Sequence, residues 1–178
     1  MLHYAATFSF VAASTATIYG SENVPVGVAS SGLHRIESTK GLSEEPYSGA
    51  NPNRARGLAY NWATNTMYTL GIYSASLSTL DLSSPDAETT LICSGDVYLS
   101  GLTFSSDYST LYSIQQFSKR PYSIDPTTGS SSAIGTRLGA SISVLDLSTD
   151  SSGMVYGAGL VDGIYRVDTS TGIALYLN

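Results

Sequence analysis

The segment IYRVDTSTG at residues 164–172 decides the fold, because related segments recur along the chain. The other copies are PYSIDPTTG at 121–129, LSTLDLSSP at 77–85 and LHRIESTKG at 33–41. Consecutive copies begin 44, 44 and 43 residues apart. A second motif precedes each copy, and its tyrosine falls at Tyr19, Tyr68, Tyr112 and Tyr156. A fixed period of this length indicates a repeat architecture.

Each repeat is predicted to contain four short strands. The first is a Gly-Leu-x-Tyr/Phe run, as in GLAY at 57–60, and a turn rich in Asn, Asp, Ser and Thr follows it. Such side chains bond their own backbone and favour turns. The second strand carries the repeat tyrosine, with apolar residues alternating along it. The third strand ends in turn-forming residues such as Asp-Pro-Thr-Thr-Gly at 125–129, and a short fourth strand completes the repeat.

Four strands in about 44 residues fit one blade of a β-propeller. We therefore predict an all-β fold: a single β-propeller-like domain over 1–178, with about four four-stranded antiparallel blades. The repeats run approximately over 1–49, 50–95, 96–139 and 140–178. Three arrangements are compatible with four blades: a small closed ring, a homodimer that completes an eight-bladed ring, or an incomplete ring excerpted from a longer parent chain.

The composition excludes several classes of protein. Hydrophobic residues make up 42% and charged residues only 12%, while Ser and Thr together number 48. The net charge of −6 argues against general electrostatic binding to nucleic acid. No uncharged apolar run reaches the ~18 residues of a membrane helix. The low charge and acidic pI fit an extracellular or cell-surface protein, and they fit a halotolerant protein equally well.

The N-terminal segment 1–14, MLHYAATFSFVAAS, has two interpretations. Its apolar character resembles a signal peptide, but it has no Lys or Arg, and Thr7 and Ser9 interrupt the apolar run. The repeat pattern instead predicts that it forms the first structural strand.

The repeats resemble those of exported bacterial β-propeller proteins of the YVTN-like class. The resemblance rests on the pattern Leu/Ile-Tyr-x-Ile/Val-Asp-x-x-Thr-Gly, seen most fully at 164–172, and it covers nearly the whole chain. It implies a propeller fold. Proteins with such repeats include surface binding modules and lactonase-like enzymes, and their rings commonly hold about six to eight blades.

Residues with catalytic or metal-binding chemistry mostly have structural interpretations. His34 aligns with Tyr122 and Tyr165, which predicts a packing role. Glu37, Asp81, Asp125 and Asp168 end the third strand of each repeat, and their recurrence predicts turn capping. The stretch 146–153 spaces oxygen side chains as a calcium loop does, but it lacks the central glycine and closing glutamate of an EF-hand, which favours a plain turn. The single cysteine, Cys93, cannot form an internal disulfide. The sequence has no HExxH motif, no His cluster and no set of Cys ligands, so we expect no metal site, and we expect no cofactor.

The residues that depart from the repeat pattern are the candidates for binding. In a propeller, the loops before the first strand and after the second strand share one face at the mouth of the channel, and five of the eight basic residues fall on such loops. Chance placement of solvated charges is one interpretation. The alternative is a site for an anionic or sugar-like ligand or an acidic protein partner, formed by Arg54, Arg56, Tyr98, Gln115, Lys119, Arg120 and Asp162.

The sequence therefore predicts a non-catalytic binding module whose ligand is unknown. Abundant Tyr and Ser favour this function, since they supply contact area and adaptable hydrogen bonds. A lactonase-like hydrolase is the first alternative. A structural role, in which open blades assemble with other chains, is the second.

Overall fold

The computed structural model describes residues 7–12, 17–23, 33–37, 43–44, 55–71, 76–81, 89–95, 97–115, 117–136, 138, 144–159 and 163–177. Within these ranges, the side chains of residues up to 56 and of Leu145 are not described, so the predicted packing of the His34 side chain lies outside the described residues.

Sixteen strands form four sheets of four, and within each sheet consecutive strands pair antiparallel. Blade 1 contains β1 (Thr7–Ala12), β2 (Thr17–Asn23), β3 (Leu33–Glu37) and β4 (Ser43–Glu44). Blade 2 contains β5 (Ala55–Asn61), β6 (Thr66–Gly71), β7 (Ser76–Leu80) and β8 (Thr89–Ser94). Blade 3 contains β9 (Leu99–Phe104), β10 (Leu111–Gln115), β11 (Arg120–Ile124) and β12 (Ser131–Ala133). Blade 4 contains β13 (Val144–Thr149), β14 (Val155–Gly159), β15 (Gly163–Val167) and β16 (Ala174–Leu177).

This architecture confirms the predicted all-β, propeller-type fold of four antiparallel blades. The first strands of successive blades lie side by side: β1 contacts β5, β5 contacts β9, and β9 contacts β13. In the described parts of the chain, we find no helix that could cross a membrane.

The hydrophobic core lies between blades. One cluster joins Leu70 and Leu77 of blade 2 to Phe104 and Leu111 of blade 3. A second joins Ile114 of blade 3 to residues of blade 4, among them Leu147, Val155, Tyr165 and Val167. Burial of these side chains is the main force that holds one blade on the next.

Two glycines allow the inner strands to approach closely. A Cβ atom built on Gly57 would lie 3.0 Å from the carbonyl carbon of Gly101 and from Cβ of Leu102. One built on Gly101, whose φ is 65°, would lie 2.8 Å from Cα of Asp146. The recurring glycine of the first-strand motif is therefore explained by contact between backbones of adjacent blades.

The repeat tyrosines are less buried than their register suggested. We expected Tyr68, Tyr112 and Tyr156 to be mostly buried, but all three are only half-buried. The residues just before them on the second strands, Met67, Leu111 and Val155, are almost fully buried. The expected position of Tyr68 between blades is confirmed, because its ring meets that of Phe104 edge-on at 5.2 Å.

Turn capping by the carboxylates that end the third strands is confirmed in blades 3 and 4. Oδ1 of Asp125 accepts hydrogen bonds from the backbone N–H groups of Thr127 and Thr128 at 2.7 and 3.1 Å. Oδ1 of Asp168 accepts from the N–H groups of Ser170 and Thr171 at 2.8 and 3.2 Å. The backbone bonds lower the pKa of Asp125, because they stabilise the charged form. For Asp168 the hydrogen bond from the Ser170 hydroxyl contributes most, and together with the backbone bonds it lowers the pKa of that carboxyl group.

Candidate functional site

A cavity of about 500 Å³ opens where the first strands of blades 2, 3 and 4 end. Its walls are the final residues of β5, β9 and β13 together with the turns that lead from these strands to the second strands. We call it the A–B cavity, because it lies at the turns between the first (A) and second (B) strands. The repeat geometry creates it, since equivalent turns of three blades converge at one end of the inner strands.

An aromatic wall lines one side of the A–B cavity. The rings of Tyr60 and Trp62 meet edge-to-face with centroids 5.0 Å apart. Tyr60 is only 6% exposed, whereas Trp62 is 49% exposed. The Tyr60 hydroxyl donates a hydrogen bond to Oδ1 of Asn65, which holds the phenol against its own turn. The buried tyrosine therefore orients a tryptophan that faces solvent at the cavity.

Two more aromatic residues line the cavity from blade 3. The Phe104 ring is buried and meets the Tyr108 ring at 6.0 Å. Tyr108 is half-buried and has a φ of 60°, in the left-handed region. A non-glycine residue in this region usually needs support from its surroundings, and the Tyr108 N–H donates to the Ser105 carbonyl at 2.9 Å.

Hydroxyl groups form the polar part of the lining. The Oγ1 atoms of Thr103 and Thr149 lie 3.0 Å apart and form a hydrogen bond between blades 3 and 4. Ser106, Ser148 and Ser151 are exposed and also line the cavity. The cavity thus combines aromatic rings with several hydroxyl groups that can donate and accept hydrogen bonds.

Asp150 is the one carboxylate among the described lining residues, and no cationic side chain accompanies it there. Its Oδ1 accepts from the N–H groups of Ser152 and Met154 at 2.9 and 3.0 Å, and its Oδ2 accepts from the Tyr156 hydroxyl at 3.1 Å. These and other hydrogen bonds lower the pKa of this carboxyl group, and the bond from the Ser152 hydroxyl contributes most. Asp150 is therefore an ionised turn-former, as the plain-turn interpretation of 146–153 predicts.

Of the residues predicted to bind at the channel mouth, four are described with their side chains, and they lie at the end of blade 3 opposite the A–B cavity. Leu99 at the start of β9 pairs with Gln115, which pairs with Arg120. Tyr98 is 45% exposed and meets the Phe117 ring edge-on at 6.1 Å. Lys119 belongs to the same turn, and its N–H donates to the Gln115 carbonyl at 2.9 Å.

Several of these predicted binding groups already have structural partners. The Arg120 guanidinium donates through Nε and Nη2 to the Gly135 carbonyl, at 2.9 and 2.6 Å. The Gln115 side chain accepts a hydrogen bond from the Ser118 hydroxyl. Arg54 and Asp162 lie outside the described residues, and of Arg56 only the backbone is described. Binding at this end stays a prediction.

Sequence reasoning missed the A–B cavity because it treated all turns after the first strand as ordinary hairpins. One signal was present. Trp62 is the single tryptophan of the chain, and it follows the first strand where the copies in blades 3 and 4 have serines, Ser106 and Ser151. A large aromatic residue in a turn that otherwise takes serine departs from the repeat and marks a surface freed from blade packing.

Within the described ranges, no three His, Cys, Asp or Glu side chains group as a metal site would require. Cys93 is half-buried and its thiol lies 3.6 Å from the carbonyl oxygen of Gly129, across the boundary between blades 2 and 3.

Comparison with known proteins places the chain by structure alone. No protein-family profile matches the sequence, and no curated protein matches it significantly. A protein of unknown function from Bacteroides thetaiotaomicron superposes with a TM-score of 0.69 at 13% identity, over 94% of this chain and 42% of that one. The calcium-binding protein regucalcin from Agrobacterium tumefaciens superposes with a TM-score of 0.61 at 17% identity, over 94% and 58%.

Virginiamycin B lyase from Staphylococcus aureus is similar too, with a TM-score of 0.61 and 16% identity over 91% of this chain and 52% of that one. Identities this low establish the propeller-type fold and nothing about activity. The chain spans about half the length of the structures it matches, from 42% to 58% of these three.

Proposed function

We propose that this chain is a non-catalytic binding module built of β-propeller repeats, and that its ligand occupies the A–B cavity. The observation that carries the proposal is Trp62, held half-exposed at the cavity by its edge-to-face contact with the buried Tyr60. Exposing an indole costs hydrophobic free energy. A recognition role gives a reason for keeping that ring at the cavity, where the turns of three blades converge.

The lining favours a neutral, hydroxyl-rich ligand, and we propose a carbohydrate. Aromatic rings offer flat apolar faces to the C–H faces of a sugar ring, and serine and threonine hydroxyls can pair with its hydroxyls. A binding pocket of this kind combines an apolar wall with a few placed polar groups. The described lining has no Lys, Arg or His to attract an anion, so the expected ligand at this end is uncharged.

The hydrogen bonds of the carboxylates support binding over catalysis. Asp107, Asp125, Asp150 and Asp168 each accept bonds from their own turns. A general base needs a pKa near the working pH, but the pKa of each of these four groups is lowered. The alternative of a lactonase-like hydrolase would need other groups to carry the reaction.

The opposite end of blade 3 remains our proposed second face, for an anionic or sugar-like ligand or an acidic partner. Lys119 and Arg120 supply positive charge there, and the Tyr98–Phe117 pair supplies exposed aromatic surface. We further propose an extracellular or cell-surface location, as for the exported proteins whose repeats these resemble. The support is the low charged fraction of 12%.

The test is binding of neutral oligosaccharides to the purified chain, first on a glycan array and then by calorimetry. Trp62→Ala should weaken the affinity at least about 10-fold, which corresponds to about 1.4 kcal/mol. Leu91→Ala is the control, because it removes an exposed apolar side chain, 56% accessible, from the edge strand β8 of blade 2, which belongs to neither proposed binding face. Equal loss in both variants, or none with Trp62→Ala, would reject the A–B cavity as the site.

A further inference from the structure

Asp150 begins the turn after β13, at a position that blades 2 and 3 fill with an uncharged residue. Its N–H donates to the Met154 carbonyl at 3.0 Å, and in blade 3 the Ser105 N–H donates in the same way to the Thr110 carbonyl at 2.8 Å. Asn61, the last residue of β5, is the equivalent in blade 2. Among these three blades, only blade 4 therefore places a carboxylate at this position.

The turn itself does not require a negative charge. Oδ1 of Asn61 accepts hydrogen bonds from two backbone N–H groups of its own turn, at 2.9 and 3.2 Å. The Ser105 hydroxyl oxygen accepts from the Thr110 N–H at 3.0 Å. A neutral amide or hydroxyl oxygen therefore closes the turn that the Asp150 carboxylate closes in blade 4. Because folding of the turn does not explain this charge, recognition of a ligand can.

The carboxylate of Asp150 is charged and retains hydrogen-bonding capacity. Its pKa is lowered, chiefly by the bond from the Ser152 hydroxyl, so the group stays ionised at neutral pH. Oδ1 accepts three described bonds, whereas Oδ2 accepts one, from the Tyr156 hydroxyl at 3.1 Å. Each carboxylate oxygen has about two acceptor sites. Oδ2 can therefore accept a further hydrogen bond from a ligand.

No basic side chain balances this charge within the described lining of the A–B cavity. Arg166, the one basic residue described in blade 4, lies opposite Tyr156 in the β14–β15 pair and is not part of that lining. A compact cavity of about 500 Å³ is about 10 Å across, which is about one Debye length at 0.1 M salt. The charge of Asp150 therefore acts on any ionic group that a ligand brings into the cavity.

We propose that Asp150 determines the charge selectivity of the A–B cavity: it excludes sugars that carry a carboxylate, such as uronic acids, and admits neutral sugars and amino sugars. This inference rests on the proposed sugar-binding function and narrows its class of ligand. A ligand carboxylate in the cavity would be repelled by Asp150. A ligand ammonium group would be attracted to it, and the half-exposed Trp62 adds an aromatic ring, which also favours cations.

The charge of the cavity can be measured without a sugar, because Trp62 is the single tryptophan and lines the cavity. Its fluorescence is quenched with caesium, iodide or neutral acrylamide at a total ionic strength of about 0.1 M. Caesium should quench the wild type more strongly than Asp150→Asn, and iodide should quench it less strongly. Acrylamide should quench the two proteins equally, since the exposure of the ring is unchanged.

Asp168→Asn is the matched control for the quenching experiment. It removes the same charge from blade 4, at an aspartate that also caps its own turn but is not among the described residues lining the cavity. Its caesium and iodide quenching should equal that of the wild type. Equal effects of the two substitutions would show that only the net charge of the chain matters, and would overturn the proposal.

Matched glycans test the consequence for binding. Each set shares one core and ends in a neutral hexose, its 2-amino form or its uronic acid, for example glucose, glucosamine and glucuronic acid. The wild type should bind the uronic acid form at least about 5-fold more weakly than the neutral form at about 20 mM salt. The difference should shrink at about 500 mM salt. In Asp150→Asn the two forms should bind within about 2-fold of each other.

A uronic acid form that binds the wild type as tightly as the neutral form would also overturn the proposal. If Asp150→Asn does not fold, Asp150→Ser replaces it, since Ser105 closes the equivalent turn. The two proposals fail in different ways. A chain that binds no glycan, or binds equally well after Trp62→Ala, rejects the sugar-binding function. A chain whose binding depends on Trp62 but ignores the charge of the sugar rejects only the role of Asp150.

Discussion

The hydroxyl groups of Thr103 and Thr149 meet at 3.0 Å across the boundary between blades 3 and 4. Each residue belongs to the end of a first strand, and both line the A–B cavity. This bond ties together two walls of the candidate site that are 46 residues apart in sequence. Few other described side-chain bonds span so large a separation, so the pair couples blade packing directly to the shape of the cavity.

A double-mutant cycle on this pair should reveal the coupling. Thr149→Val and Thr103→Val should each cost about 1 kcal/mol of unfolding free energy, because each leaves one partly buried hydroxyl without its partner. The double variant should cost less than the sum of the two. Urea unfolding measures all three, and strictly additive losses would mean that the bond contributes nothing to stability.

The equivalent residues Ser113 and Thr69, 44 positions apart, should respond in opposite ways. The buried Ser113 hydroxyl is close to the carbonyls of Ser100 and Gly101, at 3.2 and 2.7 Å, so Ser113→Ala should destabilise by about 1 to 2 kcal/mol. Thr69 Oγ1 is buried and has no hydrogen-bond partner among the described residues. Thr69→Val should therefore be neutral or stabilising, because it removes an unsatisfied polar atom.

These two changes form a matched pair, since both alter a hydroxyl at the same place in two blades. Thermal and urea unfolding of both variants supplies the comparison. A destabilised Thr69→Val protein would mean that this hydroxyl has a partner in solution.

The turn of blade 3 should titrate at low pH. The hydrogen bonds from the Ser105 hydroxyl and from Ser109 lower the pKa of Asp107 to about 2. A carboxyl pKa that is lower in the folded chain gives stability above the unfolded value of 3.8 that is lost as pH falls towards 2. Carbon-detected NMR of the side-chain carboxyl measures the pKa directly.

Ser105→Ala is the informative variant for this turn, because it removes the largest contribution to the shift. The pKa of Asp107 should then rise towards 3.8. An ordinary value in the wild-type chain, or no change with Ser105→Ala, would show that the turn is open in solution.

The fold could be predicted because the same structural residues recur at the same spacing in successive repeats. Several residues recur for structural reasons: the glycine at 57 and 101, the turn-capping Asp125 and Asp168, and the second-strand tyrosines. The spacing between their copies therefore gives the length of one blade. The burial of the tyrosines was less predictable. Alternation assigns residues to two faces, and in a propeller both faces of a blade are packed, so the pattern could not distinguish Tyr112 from the fully buried Leu111.

The candidate site was harder to predict, because it is assembled from three blades. Nothing local to Trp62 indicates that Thr103 or Ser148 lies at the same cavity. Arg120 shows the opposite problem. Its charge and loop position suggested ligand binding, but both of its described hydrogen bonds go to the Gly135 carbonyl. The contact between Arg120 and Gly135 becomes evident only once the strands of blade 3 are placed in register.

Fluorescence of Trp62 tests the central claim most directly, since it is the single tryptophan of the chain and lines the A–B cavity. Titration with the neutral oligosaccharide that binds best on the array should shift its emission to shorter wavelength and protect it from acrylamide quenching. Both changes should be half-maximal at a free ligand concentration equal to the dissociation constant that calorimetry gives. Heat of binding without any change in the emission or quenching of Trp62 would place the ligand elsewhere and contradict the account.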